Sequence, residues 1–285
     1  MSPYVGRFAP TPSGSLHLGS LVTALGSWLD ARAAAGRWAL RIDDLDRPRV
    51  RSGAEGEIVR QLEAHGLWWD GPIRRQSEHI AEYRETLERL RAMGCVYACR
   101  CTRAELARLS TPADANDETE APYPGTCSTA DWPDVDAALR VRIDPPGIDD
   151  VGGDFIVRRR DEQIGYQLAC AVDEHAMGIT DVVRGADLVQ SGRRQRWLLG
   201  RLGLATPRYR HLPLVLAPDG RKLSKSTESQ PIRSDQAPAN LRLALRLLGQ
   251  EGAIDVGGSD VRPLLQAATA RWAPERIPTG PVRMT

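Results

Sequence analysis

Charge of one sign is missing from this sequence. Lys and Arg together number 38 and Asp and Glu 37, a formal net charge of +1 over 285 residues. A protein that coats nucleic acid carries a broad basic excess, so any nucleic-acid surface here must be a local patch. Arg158-Arg159-Arg160 and Arg193-Arg194-Gln195-Arg196 are the candidates, and the plain reading of each is a solvated face. Long apolar runs are missing too. No stretch of about 18 apolar residues occurs, and no charged segment leads into an apolar one, which points to a soluble, cytoplasmic protein without membrane contact. Aromatics stand at 5%, and the apolar fraction of 41% lies slightly below the globular norm. The length still allows one large or two modest domains with real cores. Five cysteines, an odd number, argue against a complete disulfide framework. No Gly-x-x-x-x-Gly-Lys-Ser/Thr run occurs, which excludes a Walker-type phosphate loop.

Two short segments far apart carry chemistry. The first runs Arg7-Phe8-Ala9-Pro10-Thr11-Pro12-Ser13-Gly14-Ser15-Leu16-His17-Leu18-Gly19-Ser20. Tyr4 and Val5 read as the end of a strand, Pro10, Pro12 and Gly14 as a turn, and Leu16 to Ala35 as a helix. Leu21, Leu25, Trp28 and Leu29 form its inward stripe. A helix start presents unpaired N–H groups and partial positive charge, which suits a triphosphate. His17 can donate to phosphate oxygens, and Gly19 lets a nucleotide approach the backbone. The second segment, Arg221-Lys222-Leu223-Ser224-Lys225-Ser226, follows a Pro-Asp-Gly turn. Lys222 and Lys225 can neutralise a departing pyrophosphate and Ser224 can hydrogen-bond it. In this order and at this separation the two resemble the His-Ile-Gly-His and Lys-Met-Ser-Lys-Ser motifs of class I aminoacyl-tRNA synthetases.

The rest of the chain reads as an α/β fold with a parallel nucleotide-binding sheet. Trp38 to Ile42 is a buried strand ending in Asp43-Asp44-Leu45-Asp46, where ligands of open α/β sheets bind. Helices are expected at Glu55–Gly66 and His79–Met93. From Cys95 the texture becomes turn-rich, with an acidic stretch from Thr111 to Pro124 and short strand-like runs at Ala138–Arg142 and Phe155–Val157. Strands follow at Asp181–Arg184 and Pro213–Leu216, helices at Asn240–Leu248 and Val261–Trp272, and a disordered tail at Pro278–Pro281. The expected division is 1–94, first half of the nucleotide-binding domain; 95–165, an insertion; 166–230, the second half; and 231–285, a C-terminal helical segment and tail.

Cys99 and Cys101 flank Arg100, and Cys127 lies further on. A Cys-x-Cys pair with a later cysteine suggests zinc. No histidine lies between His79 and His175, and Tyr123 is an uncommon oxygen donor. On residues alone, a zinc site and three reduced cysteines packed by a hairpin both stand. Cys95 and Cys170 have no readable role.

These segments together resemble the glutamyl-Q tRNA(Asp) synthetase family, a truncated branch of the glutamyl-tRNA synthetases, over nearly the whole chain. The resemblance rests on residues 7–20, on Arg41-Ile42-Asp43-Asp44-Leu45-Asp46, on Val183-Arg184-Gly185-Ala186-Asp187-Leu188, and on Cys-x-Cys with a later Tyr-x3-Cys. It implies one structural Zn²⁺ per chain on Cys99, Cys101, Tyr123 and Cys127. It implies activation of L-glutamate with ATP and Mg²⁺, then transfer to queuosine in the anticodon of tRNA(Asp). His17, Lys222 and Lys225 would be catalytic, with Gly19 and Ser224 also on ATP. Arg7, Phe8, Ala9, Pro10, Thr11, Asp43, Tyr166 and Arg184 would hold glutamate. Asp43 stands where the family commonly has glutamate. The stretch after Ser226 reads as too short for an anticodon-binding domain, and a monomer is expected. The runner-up is a minimal glutamyl-tRNA synthetase charging a tRNA 3′ end. A small nucleotidyltransferase and a non-catalytic synthetase paralogue fit less well, since the Lys-Leu-Ser-Lys-Ser run and the Asp43/Arg184 pair speak against the first and intact His17, Lys222 and Lys225 against the second.

Overall fold

The computed structural model describes residues 3–102, 104–106, 123–144, 151–217, 219–220, 230–253 and 258–284. Lys222, Ser224, Lys225 and most of the acidic stretch from Thr111 lie outside the described residues. The described elements run β1 (Val5–Phe8), α1 (Leu18–Ala33), β2 (Arg37–Ile42), α2 (Ala54–Ala64), β3 (Arg74–Arg75), α3 (Ile80–Ala92), β4 (Val96–Cys99), β5 (Ala138–Val141) and β6 (Phe155–Arg158). Then come α4 (Tyr166–Ala176), β7 (Asp181–Gly185), α5 (Val189–Arg201), β8 (Arg208–Leu212), β9 (Val215–Leu216), α6 (Ala237–Leu247), α7 (Val261–Ala270) and β10 (Val282–Arg283). They fold into two compact units, one of 1–75, 178–186 and 207–285, the other of 76–177 and 187–206.

The first unit is built on parallel strands. β1 pairs with β2, Val5 opposite Arg37 and Phe8 opposite Leu40, and β2 pairs with β3. β7 pairs with β8 and lies beside β1. Thr180 bridges the last two, its N–H donating to the Val5 carbonyl at 2.9 Å and its hydroxyl accepting from the Val5 N–H at 2.8 Å. Further along, Arg7 Nη1 reaches the Val183 carbonyl at 3.4 Å, so β1 and β7 advance in the same direction. The strand order is therefore β3-β2-β1-β7-β8. Chain connections leave β1 toward β2 on one side while β7 lies on the other, and the crevice at the carboxyl end of such a central strand is where these folds bind ligands.

α1 covers this sheet because its sequence is apolar around most of its girth. Leu21, Leu25 and Leu29 are fully buried, and each such side chain contributes ~1.5–3 kcal/mol. A Cβ on Gly26 would stand 2.7 Å from Leu212 Cδ1, so only glycine lets α1 approach β8. Buried Trp38 stacks on Phe8 and donates its indole N–H to Ser27 Oγ at 3.0 Å. Leu241 and Leu245 of α6 and Leu264 and Leu265 of α7 complete the same core.

In the second unit β4, β5 and β6 form an antiparallel sheet, and α3 and α5 pack on α4. Buried Asp173 accepts from Tyr83 Oη at 2.8 Å and Gln76 Nε2 at 2.7 Å. Phe155 meets Trp197 edge-on.

Three expectations change. The tail is ordered: β10 pairs in parallel with β9, and Met284 N–H reaches the Leu216 carbonyl at 3.0 Å. Pro278 and Gly280 read as breakers, yet the chain beyond them returns to a free strand edge. The strand expected at 213–216 shrinks to β9 at Val215–Leu216, and an unexpected strand, β8, precedes it, the two parted by Pro213 and Leu214. The basic cluster at 193–196 lies on α5 with Arg194 buried and its guanidinium 5.5 Å from the Phe155 ring centre. Only Arg196 of its three arginines is fully exposed, so the cluster is not one basic face. No helix among the described residues is long and apolar enough to cross a membrane.

Candidate functional site

The carboxyl end of β1 leads straight into the first motif. The 9–14 turn is pinned to its neighbours by backbone bonds: Asp43 N–H to the Pro10 carbonyl at 3.0 Å and Arg51 N–H to the Pro12 carbonyl at 2.9 Å. Gly14 sits at φ +138°, which side-chain-bearing residues rarely adopt. Ala9 and Thr11 are half-buried, and Phe8 and Pro10 are buried. His17 is the N-cap of α1, its Nδ1 accepting from Ser20 N–H at 3.2 Å. That bond fixes the tautomer: with Nδ1 as acceptor, neutral His17 carries its proton on Nε2. Nε2 lies 3.1 Å from Ser20 Oγ, at the helix start where an anion would bind. Gly19 occupies the first turn and is half-buried.

Arg7 and Arg184 are buried toward the carboxyl ends of neighbouring strands, 4% and 3% exposed. Arg7 comes from β1 and Arg184 from β7, where its guanidinium lies 5.1 Å from the Tyr209 ring centre. Asp43, just beyond β2, is held by Arg41 in a two-pronged ion pair, Nε to Oδ1 at 2.6 Å and Nη2 to Oδ2 at 3.2 Å. Arg41 was not expected in the site. Its signal is strand alternation: residues two apart share a face, so a buried Arg41 must meet Asp43. Tyr166 opens α4 in the second unit and is exposed. Lys222, Ser224 and Lys225 lie outside the described residues.

A second unexpected group stands behind His17. Buried Gln61 of α2 accepts from Leu16 N–H at 2.7 Å and donates to the Ile232 carbonyl at 2.9 Å. Ile232 N–H returns to the Leu16 carbonyl at 2.9 Å, and His17 forms a β-bridge with Pro231. Buried His65 donates from Nδ1 to the Gln61 carbonyl at 2.6 Å and accepts at Nε2 from Asn240 Nδ2 at 3.1 Å. Burial holds the His65 pKa below 6.5, outweighing the opposing Gln61 bond. Protonation would turn Nε2 into a donor facing a donor. Because the folded pKa is lowered, the unfolded chain takes up the proton first as pH falls. The contribution is complete above pH 6.5 and is lost as pH falls toward the folded value. Unfolding titrations from pH 7.5 down to 5.5 should therefore show a steeper loss of stability in the wild type than in His65→Leu; parallel profiles would contradict a neutral, buried His65.

In the second unit, Cys99 at the end of β4, Cys101 and Cys127 bring their sulfurs within 4.8 Å of one another, a group that could hold a metal ion. Tyr123 Oη lies 3.4 Å from Cys99 Sγ and 3.5 Å from Cys101 Sγ, and it accepts from Cys127 N–H at 2.9 Å. Four donors around a metal at about 2.3 Å have edges near 3.8 Å, which these separations fit. Burial raises the Cys127 thiol, but hydrogen bonds from Tyr123, the Arg100 N–H and the other two thiols bring it down to about 7. Burial first, then contacts with Cys127 and Cys99, pushes Cys101 up to about 11 against the lowering Tyr123 bond. Cys95 is buried away from the cluster and accepts from Arg201 Nε at 2.9 Å, and Cys170 is buried in α4.

The family described as tRNA synthetases class I (E and Q), catalytic domain, matches residues 4–137 and 136–251. The chain is 48% identical to the glutamyl-Q tRNA(Asp) synthetase of Ectopseudomonas mendocina, over 96% of this chain and 95% of that protein. It is 46% identical to the one from Thiobacillus denitrificans, over 98% and 96%. A glutamate tRNA ligase from Elizabethkingia meningosepticum, solved in complex with its amino acid, superposes with a TM-score of 0.78 at 23% identity. That match covers all of this chain and 67% of the ligase, and it shows the shared fold. With an α/β class I fold, a capped helix start beside two buried arginines and relatives this close over their whole length, the chain belongs to the glutamyl-Q tRNA(Asp) synthetase family of class I synthetase-type ligases.

Proposed function

We propose that this chain activates L-glutamate with ATP without tRNA, then transfers the glutamyl group to queuosine in the anticodon of tRNA(Asp). The observation that supports the reading is that Arg7 on β1, Arg184 on β7 and Asp43 just after β2 stand toward the carboxyl ends of neighbouring strands, with His17 capping the helix that follows β1. Glutamate carries two carboxylates and one ammonium. Two buried guanidinium groups suit carboxylates, and Asp43 suits the ammonium once Arg41 has fixed its orientation. The 9–11 backbone completes the amino-acid subsite. His17 Nε2–H, the α1 start at Gly19, Lys222, Ser224 and Lys225 hold ATP.

The α-carboxylate of glutamate attacks the α-phosphorus of ATP, and the bond to the pyrophosphate breaks. His17 and the two lysines stabilise the departing charge. Mg²⁺ bound with ATP shares that charge. A hydroxyl of the queuosine cyclopentenediol then attacks the acyl carbon and AMP leaves. No side chain becomes covalently attached. Zn²⁺ on Cys99, Cys101, Tyr123 and Cys127 would be structural, its thiolate preference matching this donor set. We place the protein in the cytoplasm as a monomer, where its five free cysteines stay reduced.

The test supplies labelled glutamate and ATP to an anticodon stem-loop bearing queuosine and lacking any CCA end. Glutamylation of that stem-loop, and none of its unmodified counterpart, is expected. Glutamine should not replace glutamate, because its neutral amide forfeits the charge-assisted hydrogen bonds that a carboxylate makes to a guanidinium group. If only tRNA with an intact CCA end accepts glutamate, the chain is a minimal glutamyl-tRNA synthetase instead.

A further inference from the structure

We infer that Gln61, backed by His65 and Asn240, is a positioning residue for the ATP site, setting His17 by clasping Leu16 and Ile232 together from behind. The inference rests on the ATP role proposed above for His17.

The clasp joins segments distant in sequence through one side chain. Gln61 uses its amide oxygen on Leu16 N–H and its amide nitrogen on the Ile232 carbonyl, so both ends are satisfied within a site 1% exposed to solvent. A helix-facing glutamine in a core is unusual unless such partners exist. The residue after Leu16 is His17; the residues just before Ile232 lead back along the chain toward Lys225. The clasp thus acts on the backbone at Leu16, next to His17, and at Ile232, next to the Pro231 that bridges His17.

The second layer holds the first. His65, one turn along α2, donates to the Gln61 carbonyl, and Asn240 of α6 completes a relay from His65 Nε2 to the Arg233 carbonyl at 3.0 Å. This chain of bonds specifies one arrangement because every member has a single compatible orientation: neutral His65 must donate at Nδ1, so Asn240 must offer its amide nitrogen. A core that needed only to be filled would be served by leucine at 61 and 65. Polar side chains in register with Leu16 and Ile232 fix where those backbone segments stand, which apolar packing alone would not.

The experiment compares wild type with Gln61→Met and Asn240→Ala. Methionine keeps the length of glutamine and removes both hydrogen bonds. Three quantities are read: Mg·ATP affinity by calorimetry, KM and kcat for ATP and for glutamate in pyrophosphate exchange, and melting temperature. For Gln61→Met, ATP affinity or kcat should fall about tenfold, as expected for lost oriented hydrogen bonds, while the glutamate KM stays within about twofold. Asn240→Ala, which leaves Gln61 in place, should shift the same parameters in the same direction by a smaller factor. Lower melting with unchanged ATP parameters in both variants would overturn the inference and leave Gln61 a packing residue. Should Gln61→Met fail to fold, Asn240→Ala alone decides by the same split. If the wild type binds Mg·ATP but shows no glutamate-dependent exchange, the amino-acid assignment fails and the ATP affinities still decide the clasp. A wild type that binds no ATP overturns both.

Discussion

His17→Ala is expected to slow glutamate-dependent ATP–pyrophosphate exchange by roughly 10²–10³, the usual loss for one preorganised donor at a developing charge. His17 has two separable jobs. Its Nδ1 caps α1 through Ser20 N–H, and its Nε2–H, 3.1 Å from Ser20 Oγ, is the donor proposed above for a phosphate. Alanine removes both, and the lost cap also costs ~0.5–2 kcal/mol of stability. Asparagine is a strong N-cap but too short to reach a phosphate, so His17→Asn should melt near the wild type and still lose most of the exchange rate. Lys225→Ala should lose activity on the same scale without the stability change, since it removes the charge proposed above to neutralise the departing pyrophosphate. Exchange by His17→Asn within about threefold of wild type would show that His17 is only a cap.

Cys101→Ser is expected to abolish stoichiometric metal binding and to lower stability before it touches the chemistry. The wild type should contain one zinc per chain by elemental analysis. A metal present a thousandfold above its dissociation constant contributes about 4 kcal/mol to the folded state, and that contribution disappears with the site. Tyr123→Phe separates the ligand question from the cysteine question. It removes the fourth donor and the partner of Cys127 N–H, yet leaves the ring against Arg140, whose guanidinium lies 3.9 Å from the ring centre. Weaker but measurable zinc in Tyr123→Phe is the expected result. Full metal content and unchanged melting in both variants would mean that these sulfurs merely pack.

The parallel sheet was legible because its parts are local. Trp38-Ala-Leu-Arg-Ile reads as a buried strand and Leu16–Ala35 as a helix from apolar spacing, and the helix observed is Leu18–Ala33. The cysteine cluster was legible in part: Cys-x-Cys with a later cysteine suggests a metal, whereas Tyr123, an uncommon donor, is assigned only through the family resemblance. Less visible were α4 and α5. The sequence Val189–Arg201 is dominated by arginine and glutamine, so its charge hid its helical face. β8 reads Arg-Tyr-Arg-His-Leu, a strand in which only the last residue is fully buried. Texture also divides the chain differently from packing: turn density marks 95–165, whereas the compact units interleave along the sequence.

What the sequence by itself determined is the inventory: a helix start with His17 and Gly19, cations at Arg7 and Arg184, a carboxylate at Asp43, three sulfurs and a phenol. The helix start, the carboxylate at a strand end and the Cys-x-Cys pair follow from residue type and short-range spacing; Arg7, Arg184 and Tyr123 take their roles from the family resemblance. Only the tertiary structure decided how these groups are held. Arg41 pairs with Asp43 once both are buried, both nitrogens of His17 meet Ser20 of its own helix, and Gln61 joins Leu16 to Ile232 across 171 residues of separation from itself to its second partner. The Gln61 bonds leave no periodic trace, because a long-range hydrogen bond is specified by where two elements pack and not by the residues beside it.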